Sequence, residues 1–485
     1  MKVYNTITGQ KEELKTQEPG EVKMYVCGLT VQNYSHIGHV RGAINYDVIK
    51  RYLKHKGYDV SYIQNFTDIN EKIVKRAEEE GIAPMELANK YSKAYINDLK
   101  RLNVEMPDEF CRVSENIDKI IEIIDTLISK GHAYESEGNV YFSVESFDDY
   151  GKLSGRNIDE MEAGSRVDVD ENKKHPMDFA LWKKYEDDPT WDSPWGKGWP
   201  GWHIECSAMS MKYLGGSIDI HGGGTDLVFP HHENEIAQSE AYSGEKPFVK
   251  YWLHNGTVDM SGEKMSKSIG NTYWTKDLLE EFSSDEIRYY ILTKHYRSPI
   301  NFSIGELKNS IKSLKKLIST LSQLDKVIDN YKKNRDNDFI QEDFIDIIKN
   351  HRTEFEEAMD DDFNTAKAIS VLHSLSKEIN SFINSPEFKP NDNNIFILKE
   401  ARRLFSAFAD ILGLELEPNL AGFEDREKFS KIMNILIDAR EKARDNSYYD
   451  LADKIRDDLD KINIRLKDTP RGTTWEYIGD ECDDS

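Results

Sequence analysis

The chain has 485 residues, of which 38% are hydrophobic, and 64 Lys and Arg stand against 88 Asp and Glu for a net charge of −24. Such a length suggests about three domains, and the apolar fraction together with 29 glycines suits a globular chain with a real core and excludes disorder along its whole length. No apolar run approaches the roughly 18 residues of a membrane span, and the polar start MKVYNTITGQ does not read as a signal peptide, so a cytoplasmic protein without a membrane partner is expected.

Four cysteines, Cys27, Cys111, Cys206 and Cys482, are too few for a disulfide scaffold and are read as possible ligands or nucleophiles. The acidic balance argues against a generic nucleic-acid binder. A local basic face survives it: residues 306–335 carry eight Lys and Arg against three acidic residues.

In chain order, EVKMYVCG (21–28) is a short apolar strand ending in a glycine turn. A helix follows from about His39 to Lys56, with Val40, Ile44, Val48, Ile49 and Leu53 on one face, and YDVSYIQNF (58–66) is the next strand. Strand, turn, helix, strand is a right-handed crossover unit, the start of a doubly wound parallel sheet. Ligands of such sheets sit at the carboxyl ends of the strands, which directs attention to the loop 27–39. A helix through Ile117–Ile128 opens a stretch that becomes loop-rich and tryptophan-rich at DSPWGKGWPGW. It reads as an insertion, because sheet-like runs resume with SIDIHGGG (217–224) and YWLHNG (251–256). From about 305 the pattern is helical, with NSPEFKPNDNN (384–394) as a linker or long loop, and the chain closes in a helical pair and a short mixed end.

Three constellations carry chemistry. In SHIGHVR, His36 and His39 flank Gly38 where a strand gives way to a helix, and a helix N-terminus offers free N–H groups and a positive dipole end to phosphate. A glycine there lets a base or phosphate approach the backbone, although two surface histidines at a helix start would look the same. SGEKMSKSIGN (261–271) places Lys264 and Lys267 on a Gly- and Ser-rich loop, where ammonium groups act as point charges toward a pyrophosphate, or merely as a solvated basic loop. FPHHENE puts His231 and Glu235 at i and i+4 on one helix face. With Cys206 in GWHIECS and Cys27 beside the histidine motif they compose a zinc donor set. Spacing alone leaves the alternative of two buried core cysteines open.

The histidine and lysine motifs, in this order, resemble the signature pair of class I aminoacyl-tRNA synthetases. Cys27, Cys206, His231 and Glu235, each in its local phrase, resemble the zinc ligands of the cysteinyl-tRNA synthetase family. The likeness runs along nearly the whole chain, through YVCGLTV, NFTDIN, VDVDENKKHPMDFALWK, DIHGGGTDLVFPHHENEIAQSEA, DDDFNTAKA and DTPRGTTW.

The resemblance implies an ATP-dependent ligase that makes cysteinyl-adenylate and pyrophosphate and then charges the 3′ end of its tRNA. One zinc ion per chain would select the cysteine thiolate over serine, and magnesium would accompany ATP. It implies His36, Gly38, His39, Asp226 and Lys267 at the nucleotide, His36, His39, Lys264 and Lys267 in catalysis, and Cys27, Thr67, Trp202 and His221 around the amino acid. It also implies Arg444, Tyr449 and Asp453 at the anticodon, and a monomer. Four protein ligands usually mark a closed zinc site, so the coordination would have to expand or a ligand yield.

The expected fold is an α/β catalytic domain of Rossmann type with an insertion, then an α-helical bundle and a small mixed C-terminal domain. The expected divisions are 1–115 and 201–256 for the two catalytic halves, 116–200 for the insertion, 257–305 for the KMSKS loop and stem-contact region, 306–425 for the tRNA-binding bundle, and 426–485 for the anticodon-binding end. Two departures from the family pattern stand out: Gln32 and Asn33 occupy positions where Tyr and Asp are expected, and Tyr449 stands where Trp is frequent. A ligase joining cysteine to a small amino sugar would share the catalytic half, but about 180 residues after Gly305 favour tRNA. A non-catalytic relative would be expected to have lost His39, Lys267 or a zinc ligand, and none is lost.

Overall fold

The computed structural model describes residues 1–156, 171–260, 263–264, 272–331, 342–416, 426–462, 464–469 and 472–477. A hairpin, β1 (Lys2–Asn5) and β2 (Gln10–Glu13), precedes the crossover unit read from the sequence: β3 (Glu21–Thr30), α1 (Ile37–His55) and β4 (Asp59–Thr67). Helices α2 (Glu71–Glu80) and α3 (Pro84–Arg101) lead to β5 (Glu109–Arg112). After the insertion the sheet resumes with β10 (Ile218–Gly224) and β11 (Val249–Asn255), giving the order β11-β10-β3-β4-β5, parallel throughout.

Alternating side chains along a strand point to opposite faces, and here both faces are covered. Met24, Val26 and Tyr62 pack with Val40, Ile44 and Val48 of α1 in one core, while Tyr25 and Ile63 join a second core on the other face. That second core includes Ile204, Ala208 and Met209 of α5 (Trp202–Leu214) and Ile236 and Ala237 of α6 (Glu233–Ser243). Strands buried on both sides read as continuous apolar runs, which is why β3 and β4 were visible in the sequence.

The loop-rich reading holds at 192–197, but the insertion also carries a sheet that the sequence did not show. After α4 (Ile117–Ser129) it forms a four-stranded antiparallel sheet from β6 (Ala133–Ser136), β7 (Asn139–Phe142), β8 (Phe179–Lys184) and β9 (Gly198–Pro200). Strands of three to six residues give too few alternations to register as a period, and Trp182 and Trp199 are packed in the core there.

Beyond β11 a small sheet joins β12 (Val258–Met260) antiparallel to β13 (Glu263–Lys264) and parallel to β14 (Ile300–Phe302), with α7 (Thr275–Glu281) and α8 (Ser284–Leu292) between. Then come α9 (Ile304–Asp329), α10 (Glu342–Asp360), α11 (Thr365–Asn384) and α12 (Asp392–Leu412), whose apolar stripes continue the first core. The helical pair α13 (Arg426–Asp445) and α14 (Tyr449–Asp460) packs with the hairpin β15 (Ile464–Thr469) and β16 (Gly472–Tyr477) around a small core of its own. Among the described residues no helix is long and apolar enough to cross a membrane.

Candidate functional site

The sheet changes direction between β3 and β10: the chain progresses outward through β4 and β5, then returns to build β10 and β11 on the other side. Such a switch point opens a crevice at the carboxyl ends of the strands. A cavity of about 500 Å³ lies there, walled by Cys27–Thr30 of β3, by His36, Gly38 and His39, by Gly223, Gly224 and Asp226, and by Asn255–Val258. Gln32, Asn33 and Trp202 also line it.

Local backbone chemistry shapes both main walls. The β3–β4 register shifts between Val26 and Leu29, and a Cβ on Gly28 would fall 1.6 Å from the Asn65 carbonyl oxygen. Only glycine permits that approach. At the start of α1, His36 caps the helix: its Nδ1 accepts from the Gly38 N–H at 3.2 Å, and His39 Nδ1 accepts from the His36 N–H at 3.2 Å. The two rings stack with centroids 3.7 Å apart. In a neutral ring an accepting Nδ1 leaves the proton on Nε2.

Behind Cys27 lies a cluster drawn from three places in the chain. Cys27, Cys206, His231 and Glu235 offer ligand atoms all within 4.8 Å of one another, a grouping that could hold a metal ion. Cys27 Sγ is 3.5 Å from both Cys206 Sγ and Glu235 Oε1, and His231 Nε2 is 2.9 Å from Glu235 Oε1. His231 and Glu235 do share a face, but the helix is regular only from Glu233; residues 228–232 form a wider turn in which Phe229 is extended. A second grouping shares two members: Cys27, His221, His232 and Glu235 also lie within that distance.

Burial drives the electrostatics. It pushes the Cys206 thiol up, yet the hydrogen bond from Cys27 and the facing His231 outweigh it and hold the thiol at about 6. Cys27 is held well above the usual thiol range by burial and by its neighbours Cys206 and Glu235. Burial opposes charge on His231, but Glu235 and Cys206 raise it to about 10. Glu235 is drawn down to about 2 by His221 and His231 against its own burial. These shifts favour the ionised forms of Cys206 and Glu235 and the protonated forms of Cys27 and His231.

Around this cluster the amino-acid residues implied by resemblance separate into two kinds. Trp202, 46% exposed, lines the cavity and stacks on His231 with centroids 4.3 Å apart. His221 and Thr67 are buried behind the wall. His221 Nε2 lies 2.7 Å from Glu235 Oε2 and its Nδ1 3.2 Å from the Tyr25 carbonyl, while the Thr67 hydroxyl donates to Glu205 at 2.6 Å. Asp226 lies in a short turn on the cavity rim. The backbone of Lys264 pairs with Asp259 in the β12–β13 hairpin, and Lys267 lies outside the described residues. In the C-terminal part, Arg444 pairs with Asp468 at 3.1 Å, Asp453 lies 3.4 Å from Arg456, and Tyr449 is exposed at the start of α14.

Several participants escaped the sequence reading. His203 Nδ1 lies 3.0 Å from His231 Nδ1, so the ring that faces Glu235 through Nε2 is held from behind. His232 reaches Cys27 Sγ at 3.3 Å and His254 Nε2 at 2.7 Å, and His254 in turn meets the Thr6 hydroxyl at 2.7 Å. Burial and the neighbouring histidines keep His232 neutral, and burial lowers His254 to about 3. Tyr46 donates to the Leu253 carbonyl at 2.7 Å and accepts from Gly223 N–H, bracing the glycine run of β10. His203 and His232 stand inside phrases quoted above, but only the fold shows which of two adjacent histidines faces which donor.

Residues 13–312 match the family model of tRNA synthetases class I (C) catalytic domain, and residues 354–417 match the DALR domain. The methionyl-tRNA synthetase of Mycobacterium tuberculosis, solved with methionyl-adenylate, shares the fold with a TM-score of 0.63 at 15% identity, over 86% of this chain and 94% of that one. Fold and site together define a class I aminoacyl-tRNA synthetase. Full-length likeness narrows it further. The chain is 48% identical to the cysteine–tRNA ligase of Carboxydothermus hydrogenoformans, over 99% of this chain and all of the relative, and 45% identical to that of Thermococcus onnurineus over 99% of each. It belongs to the cysteine–tRNA ligase family.

Proposed function

We infer that the chain activates L-cysteine with ATP and transfers it to the 3′ end of the cysteine tRNA, with zinc in the Cys27–Cys206–His231–Glu235 cluster. The observation that carries this reading is the opening of that thiolate-bearing cluster, through Cys27, onto the same cavity as the His36–His39 helix start. Tetrahedral donors with zinc bonds of about 2.0–2.3 Å sit about 3.3–3.8 Å apart. The sulfur–sulfur and sulfur–oxygen separations of 3.5 Å fit that frame, and two soft donors favour this set over the one through His232.

When bound, zinc supplies a soft Lewis-acid centre that favours a deprotonated sulfur over a hydroxyl. An apolar pocket could not separate two side chains so alike in size. His221 holds the second oxygen of Glu235 and His203 holds the rear nitrogen of His231, so the donor set is oriented from outside. Trp202 covers the cluster and forms the side of the amino-acid pocket.

The reaction needs no enzyme nucleophile. The cysteine carboxylate attacks the α-phosphorus of ATP in line and pyrophosphate leaves; the terminal ribose hydroxyl of the tRNA then attacks the mixed anhydride and AMP leaves. His36 and His39 donate to the phosphates at the start of α1, Lys267 assisted by Lys264 stabilises the departing pyrophosphate, and magnesium accompanies ATP. Asp226 borders the nucleotide. The divisions 1–115 with 201–256, 116–200, 257–305, 306–425 and 426–485 serve as catalytic halves, insertion, KMSKS region, bundle and anticodon end. Arg444, Tyr449 and Asp453 supply a cation, a stacking ring and an acceptor for unstacked loop bases.

Labelled cysteine and a tRNA bearing the GCA anticodon test the whole reading, with serine as control. Charging with cysteine alone is expected. Cysteine-dependent pyrophosphate exchange without charging would overturn the tRNA half of the reading and point to a small acceptor.

A further inference from the structure

Arg41 lies two residues past His39 on α1 and is 1% exposed. Its guanidinium reaches two segments far apart in the chain: Nη1 donates to the carbonyls of Gly256 and Thr257, each at 2.6 Å, and Nη2 donates to those of Tyr296, at 3.1 Å, and Ser298. All four acceptors are backbone carbonyls, and the acidic group whose field it feels is Asp259 on β12. The segments touch each other at the same place. Gly256 N–H donates to the Tyr296 carbonyl at 2.9 Å, Ile300 N–H donates to that of Thr257 at 2.9 Å, and a Cβ on Gly256 would fall 2.6 Å from the Ser298 carbonyl. Behind them the Tyr296 hydroxyl donates to Asp362 at 2.9 Å and Arg297 Nε to the same carboxylate at 2.7 Å, so the 296–298 turn has a fixed backing.

Residues 255–258 are also the wall of the cavity that faces His36, Gly38 and His39. We propose that Arg41 is a positioning residue for adenylate formation: it sets the spacing between the histidine-bearing start of α1 and the 255–258 wall, and so the registration of ATP between them. The proposal rests on the reading of this cavity as the nucleotide site. A buried guanidinium is an expensive way to fill space. A planar fork that engages four carbonyls on two backbones is something an ammonium or an apolar side chain cannot reproduce. Gly256 belongs to the same device, because the absent side chain lets the two clamped backbones meet.

The test is cysteine-dependent ATP–pyrophosphate exchange on the full chain, with thermal unfolding and metal content measured on each variant. In Arg41→Lys one ammonium, with three donors on a single nitrogen, cannot span all four carbonyls. A misplacement of about 1 Å can cost about 10²-fold in rate, so kcat is expected to fall by about one to two orders of magnitude while KM for cysteine stays within about threefold. Gly256→Ala forces the same two segments apart and is expected to give the same kcat-selective loss. The double variant should be little worse than the worse single one, because both displace the same 255–258 wall. Folded, metal-loaded Arg41→Lys with the kcat of the unaltered protein would overturn the proposal, as would single losses that multiply in the double variant. If Arg41→Lys fails to fold, unchanged kcat in Gly256→Ala overturns it by itself. Absence of exchange in the unaltered protein would instead sink the functional reading.

Discussion

Two overlapping donor sets share Cys27 and Glu235, and one substitution separates them. Cys206 belongs only to the set with His231, and His232 only to the set with His221. Replacing Cys206 by Ser keeps the packing nearly unchanged, but it removes a thiol already held at about 6 and puts a hydroxyl that does not ionise 3.5 Å from Cys27 Sγ. Four-donor zinc sites are worth about 10–16 kcal/mol at neutral pH, so one donor carries about 2.5–4 kcal/mol. At about 1.4 kcal/mol per decade, Cys206→Ser should weaken zinc binding by about 10²–10³-fold. His232→Gln removes only a neighbour of Cys27 and should cost at most the 10–100-fold typical of supporting contacts. Competition with a chelator of known affinity gives both numbers, and cysteine-dependent exchange should fall in parallel with zinc occupancy. Zinc held as tightly by Cys206→Ser as by the unaltered chain, or a larger loss in His232→Gln, would refute the assignment.

Two further expectations follow from buried charge. The same shifts favour protons on Cys27 and His231, both raised, and the ionised forms of Cys206 at about 6 and Glu235 at about 2. Groups that must shed a proton bind better as pH rises, so apparent zinc affinity should climb about 100-fold per pH unit above pH 6 and begin to level near 10; a flat profile in the chelator assay would contradict these protonation states. Elsewhere, Arg288 donates to Asp47 at 2.5 Å with both side chains fully buried, and also to the carbonyls of Leu102 and Leu412. Asp47 also accepts from Arg51 Nε at 2.9 Å and from the Glu105 N–H at 2.8 Å. Arg288→Met removes its fully buried cationic partner and should cost about 3–5 kcal/mol in urea unfolding, whereas a loss under about 1 kcal/mol would show that these remaining partners compensate.

What the sequence made legible was local. The apolar runs of β3 and β4, the helix between them and the phrases around His36, Cys206 and His231 each declare themselves within ten residues, and together they located the switch-point crevice. The four donors come together in space although Cys27 and Cys206 are 179 positions apart. The supporting layer stayed hidden because its meaning is relational: His203 and His232 are ordinary histidines until the fold aims one at His231 and the other at Cys27. Arg41 was hidden for the opposite reason. A charged residue on an amphipathic helix reads as solvent-facing, and only tertiary packing shows carbonyls from two remote turns converging on it. The β6–β9 sheet was missed because its strands are shorter than the window in which a period of two can be seen.

The spacing of the two thiols also bears on the unfolded chain. An ion held by Cys27 and Cys206 is a reversible cross-link that closes a loop of 179 residues, with the β6–β9 sheet inside it. If such a link persisted on unfolding it would remove about 5 kcal/mol of freedom from the denatured ensemble, and an ion bound only by the folded chain would stabilise it by mass action, so on either account its removal should lower the melting temperature as well as the activity. Closure entropy grows only logarithmically, by about 0.6 kcal/mol for each doubling of length. The enclosed arm can therefore lengthen or shorten at almost no cost to the staple at its neck.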